Sequence, residues 1–157
     1  MITKNNSENS ILFMGLTIEL ARTAFEKDEV PVGAVIVQRR NSEIVAAFSN
    51  QMRELRNAIA HAEMLAIQKA TNVLSNERLL GCDIYVSLEP CPMCAHAISI
   101  ARLDRLFYAA DDPKSGGVKH GPMIFESSSC HHKPEVISGI MEKESSELLK
   151  KFFQSKR

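Results

Sequence analysis

The sequence predicts an α/β domain: three layers, αβα, with a central mixed sheet of five strands. Three observations carry this expectation. Helical-period segments alternate along the chain with short β-branched runs. The first two runs, Pro31–Val37 and Glu43–Ser49, are joined by the short polar turn Gln38-Arg39-Arg40-Asn41-Ser42, which makes them an antiparallel hairpin. The later runs are separated by segments long enough to be helical crossovers, so the sheet is mixed.

The elements follow in order. Residues 1–9 are polar and expected to be frayed. From Ile11 to about Lys27, Leu12, Leu16, Leu20 and Ala24 recur at helical spacing, with Phe13 and Ile18 widening the stripe. Pro31–Val37 is almost wholly apolar, as a strand buried on both faces should be. Glu43–Ser49 pairs with it, and Asn50–Ala60 is a polar loop. A second helix runs from about His61 to Val73. Asp83–Leu88 is the third strand, and Pro90 ends it. Cys91 to about Ala101 is the third helix, and Arg105–Ala110 the fourth strand. Asp111–Gly117 is turn-rich, Gly121–Glu126 a short helix, and Glu135–Ser138 a fifth short strand. Met141–Phe153 closes the chain as a helix with apolar positions at Met141, Leu148, Leu149, Phe152 and Phe153. No internal repeat, long linker or low-complexity tract divides the chain, so a single domain over residues 1–157 is expected.

Composition narrows the class. Hydrophobic content of 45% and charged content of 24% are those of a soluble globular protein. The formal net charge is zero, so any nucleic-acid binding must rest on a local basic patch. No apolar run approaches the roughly 18 residues of a membrane span. The polar start MITKNNSENS has no apolar core of a signal peptide, which makes the cytoplasm the expected compartment. Cysteines at 82, 91, 94 and 130 do not form the pattern of a secreted disulfide framework.

Two short stretches carry the chemistry: His61-Ala62-Glu63, and Pro90-Cys91-Pro92-Met93-Cys94. Cys91 and Cys94 are three apart and share one face of a helix. With His61 they make three zinc ligands of the preferred N and S type, and a site with only three protein ligands leaves its fourth position to water, the catalytic kind. Two thiolates and a neutral imidazole balance the charge of Zn²⁺. Glu63 is not needed as a ligand and is free to move protons. His-x-Glu followed by Pro-Cys-x-x-Cys is a known signature of zinc nucleobase deaminases. His61 and Glu63 lie about 200° apart around a helix of roughly 3.6 residues per turn, so both reach one site only from a helix start at or just before His61. Taken separately the two patterns are weaker. A lone Cys-x-x-Cys also serves redox sites and zinc fingers. A structural zinc would need a fourth ligand, for which His131-His132 are the best candidates, ahead of His96, His120, Cys82 and Cys130.

The likeness extends beyond the metal ligands. Val30-Pro31-Val32-Gly33-Ala34-Val35-Ile36-Val37, Ala60-His61-Ala62-Glu63, Tyr85-Val86-Ser87-Leu88-Glu89-Pro90-Cys91-Pro92-Met93-Cys94-Ala95, Asp112-Pro113-Lys114-Ser115-Gly116 and the ending with Phe152-Phe153 resemble the bacterial tRNA-specific adenosine deaminases, a branch of the cytidine deaminase-like superfamily. The resemblance covers residue 11 to the end. It implies a cytidine deaminase-like fold, one Zn²⁺ per subunit, and hydrolytic conversion of adenosine to inosine at the wobble position of a tRNA anticodon. It implies a homodimer that grips the anticodon stem-loop across both subunits. By the same resemblance His61, Cys91 and Cys94 bind the metal, Glu63 shuttles protons, and Asn50 hydrogen-bonds the flipped base. Asp112 and Lys114 contact neighbouring nucleotides, and Phe153 with the basic Lys150, Lys151, Lys156 and Arg157 touches the RNA. Taken without the resemblance, Asn50 reads as a turn residue and Asp112-Pro113 as a solvated turn. Two departures stand out: Asn57-Ala58-Ile59-Ala60 replaces the family's Asp-Pro-Thr-Ala, and His96 replaces a glycine. The same metal chemistry would serve a free-base or nucleoside deaminase acting on guanine, cytosine or cytidine. A zinc-stabilised RNA-binding module without catalysis is the third reading, and the intact Glu63 argues against it.

Overall fold

The computed structural model describes residues 3–157, and its elements run α1 (Thr3–Glu26), β1 (Gly33–Gln38), β2 (Glu43–Ser49), α2 (Ala62–Leu74), β3 (Cys82–Leu88), α3 (Pro92–Ile100), β4 (Arg105–Ala110), a 3₁₀ turn (Ile124–Glu126), β5 (Glu135–Ser138) and α4 (Glu142–Gln154). The strands lie in the order β2-β1-β3-β4-β5. β1 pairs antiparallel with β2 and β3, and β4 runs parallel to β3 and β5. The expected three-layer αβα domain with a mixed five-stranded sheet is therefore what the chain forms.

The layers follow from side-chain alternation along the strands. Ile36, Ile84, Val86, Leu106 and Tyr108 face one side and pack with α2 and α3. Val35, Val37, Tyr85, Phe107 and Ala109 face the other and pack with Phe13, Met14 and Ile18 of α1. Tyr85 stacks on Phe107, with ring centroids 4.4 Å apart. The α2 side is lined with small residues: Ala62, Ala66 and Ala70 have no exposed surface, which lets that helix lie close on the sheet. On the α1 side Gly33 does the same work. A Cβ there would stand 2.2 Å from the Thr17 carbonyl oxygen and 2.8 Å from the Leu20 Cβ.

Several boundaries differ from the sequence reading. Of the segment expected to be frayed, residues 1 and 2 lie outside the described residues, and from Thr3 the chain is already helical. The stretch before Ile11 has no apolar periodicity to reveal it, but each added residue extends an existing helix by one hydrogen bond. The packed face of α1 is also rotated from the expected stripe. Phe13, Met14, Ile18, Ala21 and Ala24 are buried, whereas Leu12 and Leu16 remain exposed at 58% and 41%. α1 is apolar on two adjoining faces, and the Phe13 ring against Tyr85 selects one of them. β1 begins at Gly33 rather than Pro31, because Val32 N–H turns back to the Val30 carbonyl at 2.8 Å. The expected helix at 121–126 is only the 3₁₀ turn Ile124–Glu126.

Candidate metal centre and active site

His61 is the residue before the first helical residue of α2, with φ −69° and ψ 149°, and Cys91 holds the same position on α3, with φ −67° and ψ 169°. Both expected helices thus start one residue later than read, and each ligand stands at its helix's N-terminus. Pro92 at the first helical position of α3 suits a place where a missing N–H costs nothing. Because His61 is outside the helix, its side chain is not bound to the helical spacing that would separate it from Glu63.

The three donor atoms converge. His61 Nδ1 lies 3.7 Å from Cys91 Sγ and 3.5 Å from Cys94 Sγ, and all three donors fall within 4.8 Å of one another. Zinc bonds of about 2.3 Å to sulfur and 2.0 Å to nitrogen at a tetrahedral angle put S and N about 3.5 Å apart. The observed spacings fit that ion. Among the described residues no other His, Cys, Asp or Glu joins this group, so zinc held here has three protein ligands. His131 and His132, the candidates for a fourth, lie elsewhere: His132 Nε2 contacts the Leu103 carbonyl at 2.6 Å, and both histidines line a second cavity with His96.

Electrostatics at the cluster favour one thiolate, that of Cys91. A hydrogen bond from Cys94 holds the Cys91 thiol down to about 4, with His61 adding to the effect. Cys94, the donor of that bond and fully buried, is pushed up. The hydrogen bond to Cys91 raises His61. The nearby Ala58 backbone adds a smaller upward push on the His61 ring. Ala58 belongs to the departure Asn57-Ala58-Ile59-Ala60. Asn57 holds this loop without the family's proline: its Oδ1 accepts the Ile59 N–H at 3.1 Å and its carbonyl accepts the Ala60 N–H at 3.1 Å.

Glu63 is 4% exposed, and burial pushes its carboxyl up to about 7. A carboxyl group tuned to neutral pH can both take and give a proton. Its charge adds to the upward push on the Cys94 thiol. Asn50 is 5% exposed and directly follows β2. Its Oδ1 accepts the Ala62 N–H at 3.1 Å, while its Nδ2 has only the Met52 sulfur at 3.7 Å.

A cavity of about 850 Å³ opens over these groups. Buried Asn50 and Glu63 and half-buried His61, Cys91 and Asp112 line it, together with the exposed Lys114, Phe153, Lys156 and Arg157. Asp112 Oδ1 accepts the Ser115 N–H at 3.0 Å, so the Asp112-Pro113 turn is also self-supporting, as its sequence suggested. Phe153 is 51% exposed and meets the buried Phe152 edge-on at 5.4 Å, and Phe152 in turn packs edge-on against Phe25 of α1 at 5.9 Å. Lys156 pairs with Asp28, which also pairs with Arg53. Lys150 and Lys151 are exposed on α4 but do not line the cavity. The wall also includes Val30, Met52, Glu89 and Leu149, which the sequence reading did not single out.

Residues 7–110 match the family described as the cytidine and deoxycytidylate deaminase zinc-binding region. The tRNA-specific adenosine deaminase of Agrobacterium fabrum is 50% identical over 145 residues, covering 92% of this chain and 94% of that protein. The chain belongs to the tRNA-specific adenosine deaminase family. Another family protein, from Bacillus subtilis, is 41% identical over 146 residues. A solved family structure, from a study of A-to-I editing by tRNA:A34 deaminases at the wobble position of transfer RNA, superimposes with a TM-score of 0.84 at 50% identity and covers 87% of this chain and 98% of its own. A structure of the guanine deaminase from Nitrosomonas europaea superimposes with a TM-score of 0.77 at 25% identity, covering 88% of this chain and 81% of its own. Family membership and the donor spacing together make zinc the cofactor.

Proposed function

We propose that this chain is a zinc-dependent hydrolase, a single deaminase domain, that converts adenosine to inosine at the wobble position, 34, of a tRNA anticodon. The observation that carries this reading is the joining of two features in one cavity: a three-donor zinc site beside its buried lining, and an exposed basic and aromatic rim of Lys114, Phe153, Lys156 and Arg157. A free base would meet only the buried lining. A looped-out nucleotide with its neighbours would reach both, since single-stranded RNA is bound by stacking and by charge.

His61, Cys91 and Cys94 hold the ion. Zinc held there would supply Lewis-acid activation of water near neutral pH, the nucleophile that adenine C6 needs. Glu63 takes one proton of the water and delivers it to ring N1, where it stays. It then moves the second proton, from the new C6 hydroxyl, to the amine, which leaves as ammonia as the C6–N bond breaks and the C6 carbonyl forms. Asn50 has its oxygen committed to Ala62, so its Nδ2–H donates to an acceptor on the base. Lys114 and Phe153 meet the flanking nucleotides, by charge and by stacking, and the Asp112 turn shapes the loop that carries Lys114. Reaching adenine requires the base to leave its stack, which an anticodon loop makes easy.

The working form is a homodimer. Exposed Val73 and Ile100 near the ends of α2 and α3 are the apolar surface that a second copy would cover. The compartment is the cytoplasm, with the tRNA substrate. Among the described residues no helix is long and apolar enough to cross a membrane.

The zinc-loaded protein is expected to deaminate the wobble A of an anticodon stem-loop, with guanine, cytosine and cytidine as parallel substrates. Glu63→Ala should lower turnover by roughly 10²–10⁴-fold or more while zinc stays bound. Preferred turnover of guanine or cytosine would replace this reading with the free-base one. Sedimentation at the assay concentration tests the dimer.

A further inference from the structure

The loop from Asp111 to Gly121 carries Asp112 and Lys114 to the cavity rim, yet it contains only turns. Its shape is set from beneath by one carboxylate. The Glu89 side chain has no exposed surface. Its Oε1 accepts the Asp112 N–H at 3.3 Å and His120 Nδ1–H at 2.8 Å. Its Oε2 accepts the Val118 N–H at 3.4 Å and the His120 N–H at 3.3 Å. A buried carboxylate is tolerated when its lone pairs meet donors in this way, and such bonds are stronger than neutral ones. Two glycines let the loop close this tightly. A Cβ on Gly116 would stand 1.9 Å from Glu89 Oε2, and one on Gly117 2.5 Å from the Pro92 nitrogen. The Gly117 N–H also donates to the Pro90 carbonyl at 2.8 Å. The loop is thus wound around a residue that lies between the end of β3 and the first zinc cysteine.

We infer that Glu89 and His120 are positioning residues for the strand-binding rim: they hold the loop in the one arrangement that presents Asp112 and Lys114 to the nucleotides beside the target. Glu89 gathers the start and end of the loop, and His120 closes it from the far end. Neither side chain is needed by the chemistry at the metal. For the identity of the strand this rests on the proposed tRNA substrate.

The test uses zinc-loaded Glu89→Gln, His120→Phe, His120→Asn, Lys114→Ala and the double variant Glu89→Gln/Lys114→Ala. Each is measured for kcat and KM on the stem-loop, zinc content, and amide hydrogen exchange across the loop. Glu89→Gln and His120→Phe should each raise KM about tenfold, the scale of one lost charge-assisted bond, with kcat within about twofold of wild type and zinc at wild-type content. The amides of Asp112, Val118 and His120 should exchange faster. His120→Asn can place an N–H near the Nδ1 position and should recover most of the KM. In the double variant KM should rise by less than the product of the two single effects, because Glu89 acts through the rim that carries Lys114. A fall in kcat at constant KM, loss of zinc, additive effects in the double variant, or unchanged exchange would each overturn the inference. If the wild type leaves the stem-loop untouched, the proposed substrate fails, and exchange with zinc content still decides whether the loop depends on Glu89. Should Glu89→Gln not fold, His120→Phe, whose side chain is 27% exposed, carries the same measurements.

Discussion

Asn50 Oδ1 accepts the backbone N–H of Ala62 at 3.1 Å, so the residue that follows β2 also caps the helix that presents Glu63. One amide serves two purposes, since its oxygen holds α2 and its nitrogen faces the cavity. The two can be separated. Asn50→Asp keeps an oxygen for the cap and loses the donor to the base. It should unfold in urea within about 0.5 kcal/mol of wild type while stem-loop turnover falls roughly tenfold to a hundredfold. Asn50→Ala should lose turnover and also about 1 kcal/mol of stability. Equal turnover in Asn50→Asp and wild type would remove Asn50 from base recognition.

Cys94 is fully buried and shares the metal site with Cys91 and His61. Cys94→Ala leaves two donors, too few for a tetrahedral site, so zinc content of the purified variant should fall below about one tenth of wild type. A chelator should abolish wild-type turnover, and added zinc should restore it. Full zinc content in Cys94→Ala, read by metal analysis, would show that the ion sits elsewhere.

Gly33 lies under α1 with no room for a side chain, since the Thr17 carbonyl oxygen would be 2.2 Å from its Cβ. Gly33→Ala should destabilise the fold by about 1–3 kcal/mol, as overpacking does. Urea unfolding measures this directly. A variant as stable as wild type would mean that α1 can lift from the sheet freely.

Tyr108 is buried beneath α3, and its hydroxyl is pushed up to about 12, chiefly by burial and also by the charges of Glu89 and Asp111. The unfolded chain ionises its tyrosine near 10. The contribution of Tyr108 is therefore complete below about pH 10 and declines as pH rises from there toward 12. Tyr108→Phe cannot ionise. The stability advantage of wild type over this variant should shrink between pH 9 and roughly 11. A constant gap in urea midpoints would show that the hydroxyl does not titrate in the unfolded chain alone.

The metal site was legible because its signal is local. Cys91 and Cys94 sit one turn apart, His61 and Glu63 are near neighbours, and the proline at a helix start needs no tertiary knowledge. β4 and β5 were readable for a similar reason: Arg105–Ala110 and Glu135–Ser138 are short apolar runs bounded by polar residues, and they fall where expected. The α1 face was misread because Leu12 and Leu16 are as apolar as Met14 and Ile18, and only the sheet decides between them. The role of Glu89 was invisible. Its partners at 112, 118 and 120 lie in a segment whose own pattern says nothing but turn, and the pairing exists only once β3 and β4 lie side by side.

The alanines beneath α2 have a reach beyond packing. Ala62, Ala66 and Ala70 set the height at which that helix rides over the sheet, and His61 stands at its leading end. A bulkier side chain at Ala66 would touch neither metal nor substrate, yet it would lift the helix and carry the imidazole away from the two sulfurs. The grip on the ion is thus calibrated by core volume, and drift in those small residues would detune the catalyst without altering a single ligand.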